Sequence, residues 1–146
     1  MYGKEESSKL RQEFWTSFGK SFPRKWLLYN TKIKGLSFKF VADRKHAMVS
    51  LDIEHTDDIA NELLYDQLLS LKTILTDEFL SEVIFDDSYE LDNGKIIYRI
   101  YVKHKSKFSI YNKNTWRECY EFFMETIPKF ELFFYEYEDF IKQAIL

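Results

Sequence analysis

A chain of 146 residues with a net charge of −3 makes a single domain, 1–146, since domains run to about 100–200 residues. Four glycines and two prolines exclude a fibrous or low-complexity chain, and one cysteine excludes a disulfide framework or a Cys-rich zinc site. No apolar run exceeds four residues, so no membrane span or signal segment is expected and the expected location is cytoplasmic.

Gly3 caps a helix start, and Glu5 and Glu6 suit the positive end of its dipole. Leu10, Phe14 and Phe18 recur every four residues, which predicts a helix over 4–18 ended by Gly19. The apolar run 26–29 reads as a short strand and 30–35 as a turn. Alternation then predicts strands at 36–41 and 47–54, joined by a turn at 42–45 into an antiparallel hairpin. Thr56 caps a helix over 57–77, with Ala60, Leu64, Leu68, Leu71 and Leu75 on one stripe. Strands at 83–87 and 96–103 flank Asp92-Asn93-Gly94, where Asn-Gly suits a type I′ turn. The stretch 108–111 reads as an edge strand. Thr115 and Glu118 have capping-box spacing before a long helical pattern, which Pro128 kinks or divides. The fold class is α+β: one antiparallel or mixed sheet of about five strands with helices packed against it, ordered helix–strands–helix–strands–helix.

Charge is blocked. Residues 1–50 carry +7, residues 51–94 carry −12, residues 95–117 carry +7 and residues 118–146 carry −5. Two arrangements fit. Basic strands sit beside acidic helices and neutralise them, or the two basic blocks meet on a surface suited to a phosphate backbone. The cations for such a surface are Lys39, Arg44, Lys45, Arg99, Lys103, Lys105 and Lys107. Tyr101 shares a strand face with Arg99, Lys103 and Lys39, and an aromatic among cations suits stacking on bases. The competing reading is an ordinary cross-strand ladder beneath a helix.

Three stretches, Lys9–Gly19, Asn30–Gly35 running into Ala42–His46, and Ile110–Trp116, stand with the Asp92-Asn93-Gly94 turn and the following Tyr98-Arg99-Ile100-Tyr101. Together they resemble a bacterial domain-of-unknown-function family, number 4268, over nearly the whole chain. That family has short stand-alone members and longer ones with an added nuclease-like domain of the PD-(D/E)XK type. The resemblance implies a bacterial protein in nucleic-acid or defence biology, and no particular activity.

Asp52 and Glu54 leave one face of a strand, and Asp43 closes the strand before it. Gathered carboxylates of this kind suit Mg²⁺. The order helix, strands, helix matches a PD-(D/E)XK core, but Glu54 stands where that pattern has Lys, leaving Lys39 or Lys45 as stand-ins. The alternative is that Asp52 and Glu54 pair with Lys39 or Arg99 across strands. His46, His55 and His104 lack metal spacing and read as surface residues, Cys119 reads as a buried inert thiol, and no Gly-rich phosphate loop is present. On the last helix Phe130, Phe133, Phe134, Tyr137 and Phe140 form a stripe that either packs within the domain or builds a homodimer surface. The expected function is a non-enzymatic macromolecule-binding domain with nucleic acid as partner, without a cofactor or a membrane. The rivals are a degenerate Mg-dependent nuclease using Asp43, Asp52 and Glu54, and a protein-binding accessory subunit acting through the aromatic helix.

Overall fold

The computed structural model describes residues 3–146; Met1 and Tyr2 lie outside them. Helix α1 (Lys4–Ser21) follows Gly3, runs through Gly19 and ends at Phe22, whose φ of −134° and ψ of 71° are non-helical. Pro23 accounts for that ending, because its ring disfavours the helical region for the residue before it. Residues 22–35 form no strand. Leu28 takes a φ of 39°, and its carbonyl accepts from the Phe38 amide at 3.0 Å.

Strands β1 (Leu36–Ala42) and β2 (Ala47–Ile53) make the expected hairpin. Its turn is tied by Asp43 Oδ1, which accepts from the amides of Lys45 (2.8 Å) and His46 (2.6 Å). Helix α2 (Asp58–Leu69) is capped by Asp57, accepting from the Ile59 amide, and not by Thr56. The expected helix over 57–77 breaks at Ser70, whose hydroxyl donates to the Gln67 carbonyl at 2.6 Å and competes with the backbone ladder. One turn, α3 (Lys72–Ile74), and a π-turn (Leu75–Phe79) follow. The stripe of Ala60, Leu64, Leu68, Leu71 and Leu75 stays buried across the break.

Strands β3 (Ile84–Glu90) and β4 (Ile96–Lys103) form the second hairpin. Its loop closes with Leu91 N to Lys95 O and Gly94 N to Leu91 O, both 2.8 Å. Gly94 has a φ of 87° and Asn93 is not positive. This is a three-residue loop with glycine at the bulge, rather than a type I′ turn, which needs two positive φ angles. Four strands pair antiparallel in the order β1-β2-β4-β3. The expected fifth strand at 108–111 is a loop instead: Phe108 and Ile110 are buried, and the Ile110 amide donates to Asp43 O at 3.0 Å.

Helix α4 (Trp116–Lys142) is continuous through Pro128. A 3-10 turn precedes it, opened by the Asn112 side chain accepting from the Asn114 amide. The Thr115 hydroxyl is engaged with the carbonyls of Ser109 and Asn112, so the capping box does not form. The helices pack on one sheet face. Phe38 meets Phe130 and Phe134 at 5.6 and 5.8 Å, Phe40 meets Phe18 at 5.1 Å, and Tyr98 stacks on Tyr65 at 4.9 Å. Phe130, Phe133 and Phe134 are fully interior. They pack within the domain and are not available to a second copy. Tyr137 is half-buried against Phe133.

Candidate functional site

The sheet face away from the helices is built by cross-strand ranks. Ser37, Asp52, Arg99 and Asp86 form one, and Lys39, Ser50, Tyr101 and Ile84 the next. At its centre Asp52 is 0% exposed and Arg99 4%. The Arg99 Nε and Nη2 donate to the two Asp52 oxygens, each at 2.8 Å. The Tyr89 ring lies 4.4 Å from the guanidinium carbon, and Tyr101 packs edge-on to Tyr89 at 5.5 Å. Lys39 Nζ sits 3.0 Å from Glu54 and 3.3 Å from Asp52, and Lys95 lies 3.7 Å from Glu54. Burial works to lower the pKa of both Arg99 and Lys39. Their carboxylate partners outweigh it, chiefly Asp52 for Arg99 and Glu54 for Lys39, and hold both above their ordinary values. Both are therefore fixed as cations whose charge is already engaged.

This arrangement corrects the carboxylate reading. Asp52 is the partner of Arg99, and Glu54 of Lys39 and Lys95. Asp43 lies in the β1–β2 turn at the far end of β2, about 17 Å from Asp52 at strand spacing. Among the described residues no group of three His, Cys, Asp or Glu side chains is arranged to hold a metal ion.

The basic blocks meet at one end of the sheet. The His104 amide donates to Ala47 O at 2.9 Å, the Ile110 amide to Asp43 O at 3.0 Å, and Met48 stands opposite Lys103. These bonds bring the β1–β2 turn, with Arg44 and Lys45, to the end of the sheet where residues 103–107 leave β4; Lys103 and Lys105 line one hollow there and Arg44 and Lys45 another. Arg11 of α1 joins them through a bond of 2.5 Å to the Tyr111 hydroxyl. Lys105 is paired with Glu82. Among the described residues Arg44, Lys45, Lys103 and Lys107 are exposed and in no ion pair. Of the eight residues expected to touch nucleic acid, these four are free, Lys39, Arg99 and Lys105 are engaged, and Tyr101 lies on the outer face.

The acidic block is divided: Asp86, Asp87 and Glu90 stand on edge strand β3 and Asp58, Glu62 and Asp66 on α2, while Glu82 pairs with Lys105 and Asp92 lines a hollow with Arg44 and Lys45. Between the end of β4 and α4 a cleft carries charges of both signs, among them Lys103, Lys105, Glu118 and Glu125. His104 lines it, with its ring 4.9 Å from Phe122. Burial lowers its pKa below 6.5, opposed in part by Glu118. His46 lies 3.8 Å from Asp43, and His55 Nδ1 accepts from the Asp57 amide. Cys119 is fully buried, which pushes its thiol up to about 12 and makes it a poor nucleophile.

One cationic stretch is missing from the sequence-based set. Residues 20–34 hold Lys20, Arg24, Lys25, Lys32 and Lys34 and no acid. The signal was there, a one-sign run in a stretch without periodicity, but the apolar residues at 26–29 drew a strand assignment instead.

The fold and its basic end define an α+β domain with helices on one side of an antiparallel sheet and an open polar face on the other. The chain belongs to the family described as Domain of unknown function (DUF4268), whose model matches residues 10–138. No curated protein and no solved structure matches the chain. Among the described residues no helix is long and apolar enough to cross a membrane.

Proposed function

We propose that this is a non-enzymatic domain that binds nucleic acid through the end of the sheet bearing Arg44, Lys45, Lys103 and Lys107. One observation carries the reading. Two backbone hydrogen bonds, His104 to Ala47 and Ile110 to Asp43, bring cations from both basic blocks to one end of the sheet, and four of them have no acid partner among the described residues. Acids stand near that end too, Glu82 on Lys105 and Glu118, Glu121 and Glu125 in the cleft beside Lys103, so the reading rests on the four unpaired cations and not on a separation of charge.

The test is a salt titration of binding to labelled DNA and RNA. The logarithm of the affinity falls linearly with the logarithm of salt, by about 0.7–0.9 for each phosphate contact. Replacing Arg44, Lys45, Lys103 and Lys107 together by Ala flattens that slope by about 3 and weakens binding without regard to sequence. No binding by the wild-type chain at about 50 mM salt, or an unchanged slope in the variant, refutes the reading.

A further inference from the structure

We infer that residues 22–35 are a rigid platform for single-stranded nucleic acid, on which Tyr29 stacks against a base while Lys32 and Lys34 meet the flanking phosphates. This rests on the nucleic-acid reading and extends it to a second site along the β1 edge, with the strandedness of the ligand.

A long irregular segment is expected to be mobile, but this one is pinned along its length. Near its start Glu131, only 4% exposed, accepts from the Leu27 amide at 2.9 Å and pairs with Arg24. In the middle the Leu28 carbonyl accepts from Phe38. Near the end the buried Thr31 hydroxyl donates to Leu36 O at 2.7 Å and accepts from the Ile33 amide at 3.2 Å. Gly35 O takes the Glu54 amide at 2.6 Å. Gly35 itself has a φ of 83°, and a Cβ there would stand 2.7 Å from the His55 backbone. Leu28 and Lys32 take φ angles of 39° and 63°. Positive φ outside glycine is a strain that the surrounding structure must enforce, and such strain gathers at functional sites.

This rigid segment shows solvent one aromatic ring and two cations. Tyr29 is 72% exposed, and among the described residues it has no ring or hydrogen-bond partner. Lys32 and Lys34 are exposed and form no ion pair among the described residues. Together with Lys39 and Glu54 these residues line a groove of about 340 Å³, the size that takes one small ligand group. Pre-ordered side chains lose little entropy on binding. A free ring beside free cations matches the stacking-and-phosphate chemistry of single strands, whose bases offer a face. A duplex keeps those faces inside its own stack, and an acidic peptide would engage the lysines without using the ring.

The test is fluorescence anisotropy with an oligothymidylate of roughly 12 nucleotides, a duplex of equal length and phosphatidylserine-containing vesicles, at about 50 mM salt. The single strand binds tightest. Tyr29→Ala weakens it roughly tenfold and Tyr29→Phe does not. Lys32→Ala with Lys34→Ala flattens the salt slope by about 0.7 per lost contact. Far-UV circular dichroism checks that each variant is folded. A preference for duplex, an unchanged affinity in Tyr29→Ala, or vesicle binding with the same dependence on Tyr29 overturns the inference. If binding is lost on replacing Arg44, Lys45, Lys103 and Lys107 but survives the Tyr29 and lysine variants, the nucleic-acid reading stands and this inference falls. A wild-type chain that binds no nucleic acid ends both.

Discussion

Strand β2 is buried on both sides by different means. Toward the helices Val49, Leu51 and Ile53 lie under aromatic side chains from other elements. Away from the helices Met48, Ser50 and Asp52 are buried by the sheet's own long side chains, with Lys39, Arg99 and Tyr89 around them. Apolar burial by a second layer tolerates no compensating partner. Burial of an ion pair depends wholly on its partner being present. The two faces therefore answer mutation differently. Leu51→Ala costs about 2–5 kcal/mol as a transfer and cavity loss. Asp52→Ala costs about 3–5 kcal/mol because Arg99 is left buried and unpaired. The double change Asp52→Leu with Arg99→Met recovers that loss, whereas no second substitution on the helix side rescues Leu51→Ala in this way. Urea unfolding of the three variants beside the wild-type chain measures it. An Asp52→Ala cost below about 1 kcal/mol would place the pair among ordinary exposed ones and remove the distinction.

The same contrast explains what the sequence made legible. Alternation assigned β1, β2 and β4 and put Arg99, Tyr101 and Lys103 on one face with Lys39, as the register has them, because a two-residue period states which side chains share a face. It does not state what covers that face. Pairing of Asp52 with Arg99 was one of the expected outcomes, but burial of the pair on a helix-free face was not. The apolar stripe of α2 was readable through Leu75 although the helix itself stops at Leu69, since one serine hydroxyl interrupts the ladder without moving the stripe. The basic blocks were visible as composition. Their meeting depends on Asp43 touching Ile110, a contact between distant positions that no local pattern encodes. The 22–35 platform was hidden for the opposite reason: its shape comes from Glu131, Thr31 and positive φ angles, none of which has a period.

His104 sharpens the comparison from the helix side. Asp52, Arg99, Lys39 and Glu54 on the outer face have charged partners, but the buried His104 Nε2 has no hydrogen-bond partner among the described residues. Burial keeps its pKa below the ordinary 6.5, with Glu118 opposing. The unfolded chain therefore takes up this proton first as the pH falls. Stability declines from about pH 6.5 downward and levels off once the folded form also protonates. One proton limits the slope to about 1.4 kcal/mol per pH unit, and partial exposure keeps it smaller. His104→Gln flattens the decline in urea midpoints between about pH 7.5 and 5.5. An equal slope in that variant would remove His104 as the source of the acid sensitivity.

The smallest expected effect lies at the β1 edge, where the two faces meet, and it has the opposite sign. Lys32 holds a φ of 63° that glycine adopts freely. Lys32→Gly therefore raises stability, by about 1 kcal/mol, as the strain at that residue is relieved. A Lys34→Ala change, at a position without positive φ, leaves stability within about 0.5 kcal/mol. Thermal unfolding of the two variants reads this difference directly. A stabilised Lys32→Gly that binds single strands less well would show that the lysine is kept for its charge at a cost to the fold. A destabilised one would mean that the Lys32 side chain holds the loop in place, and the strain argument would fail at that residue.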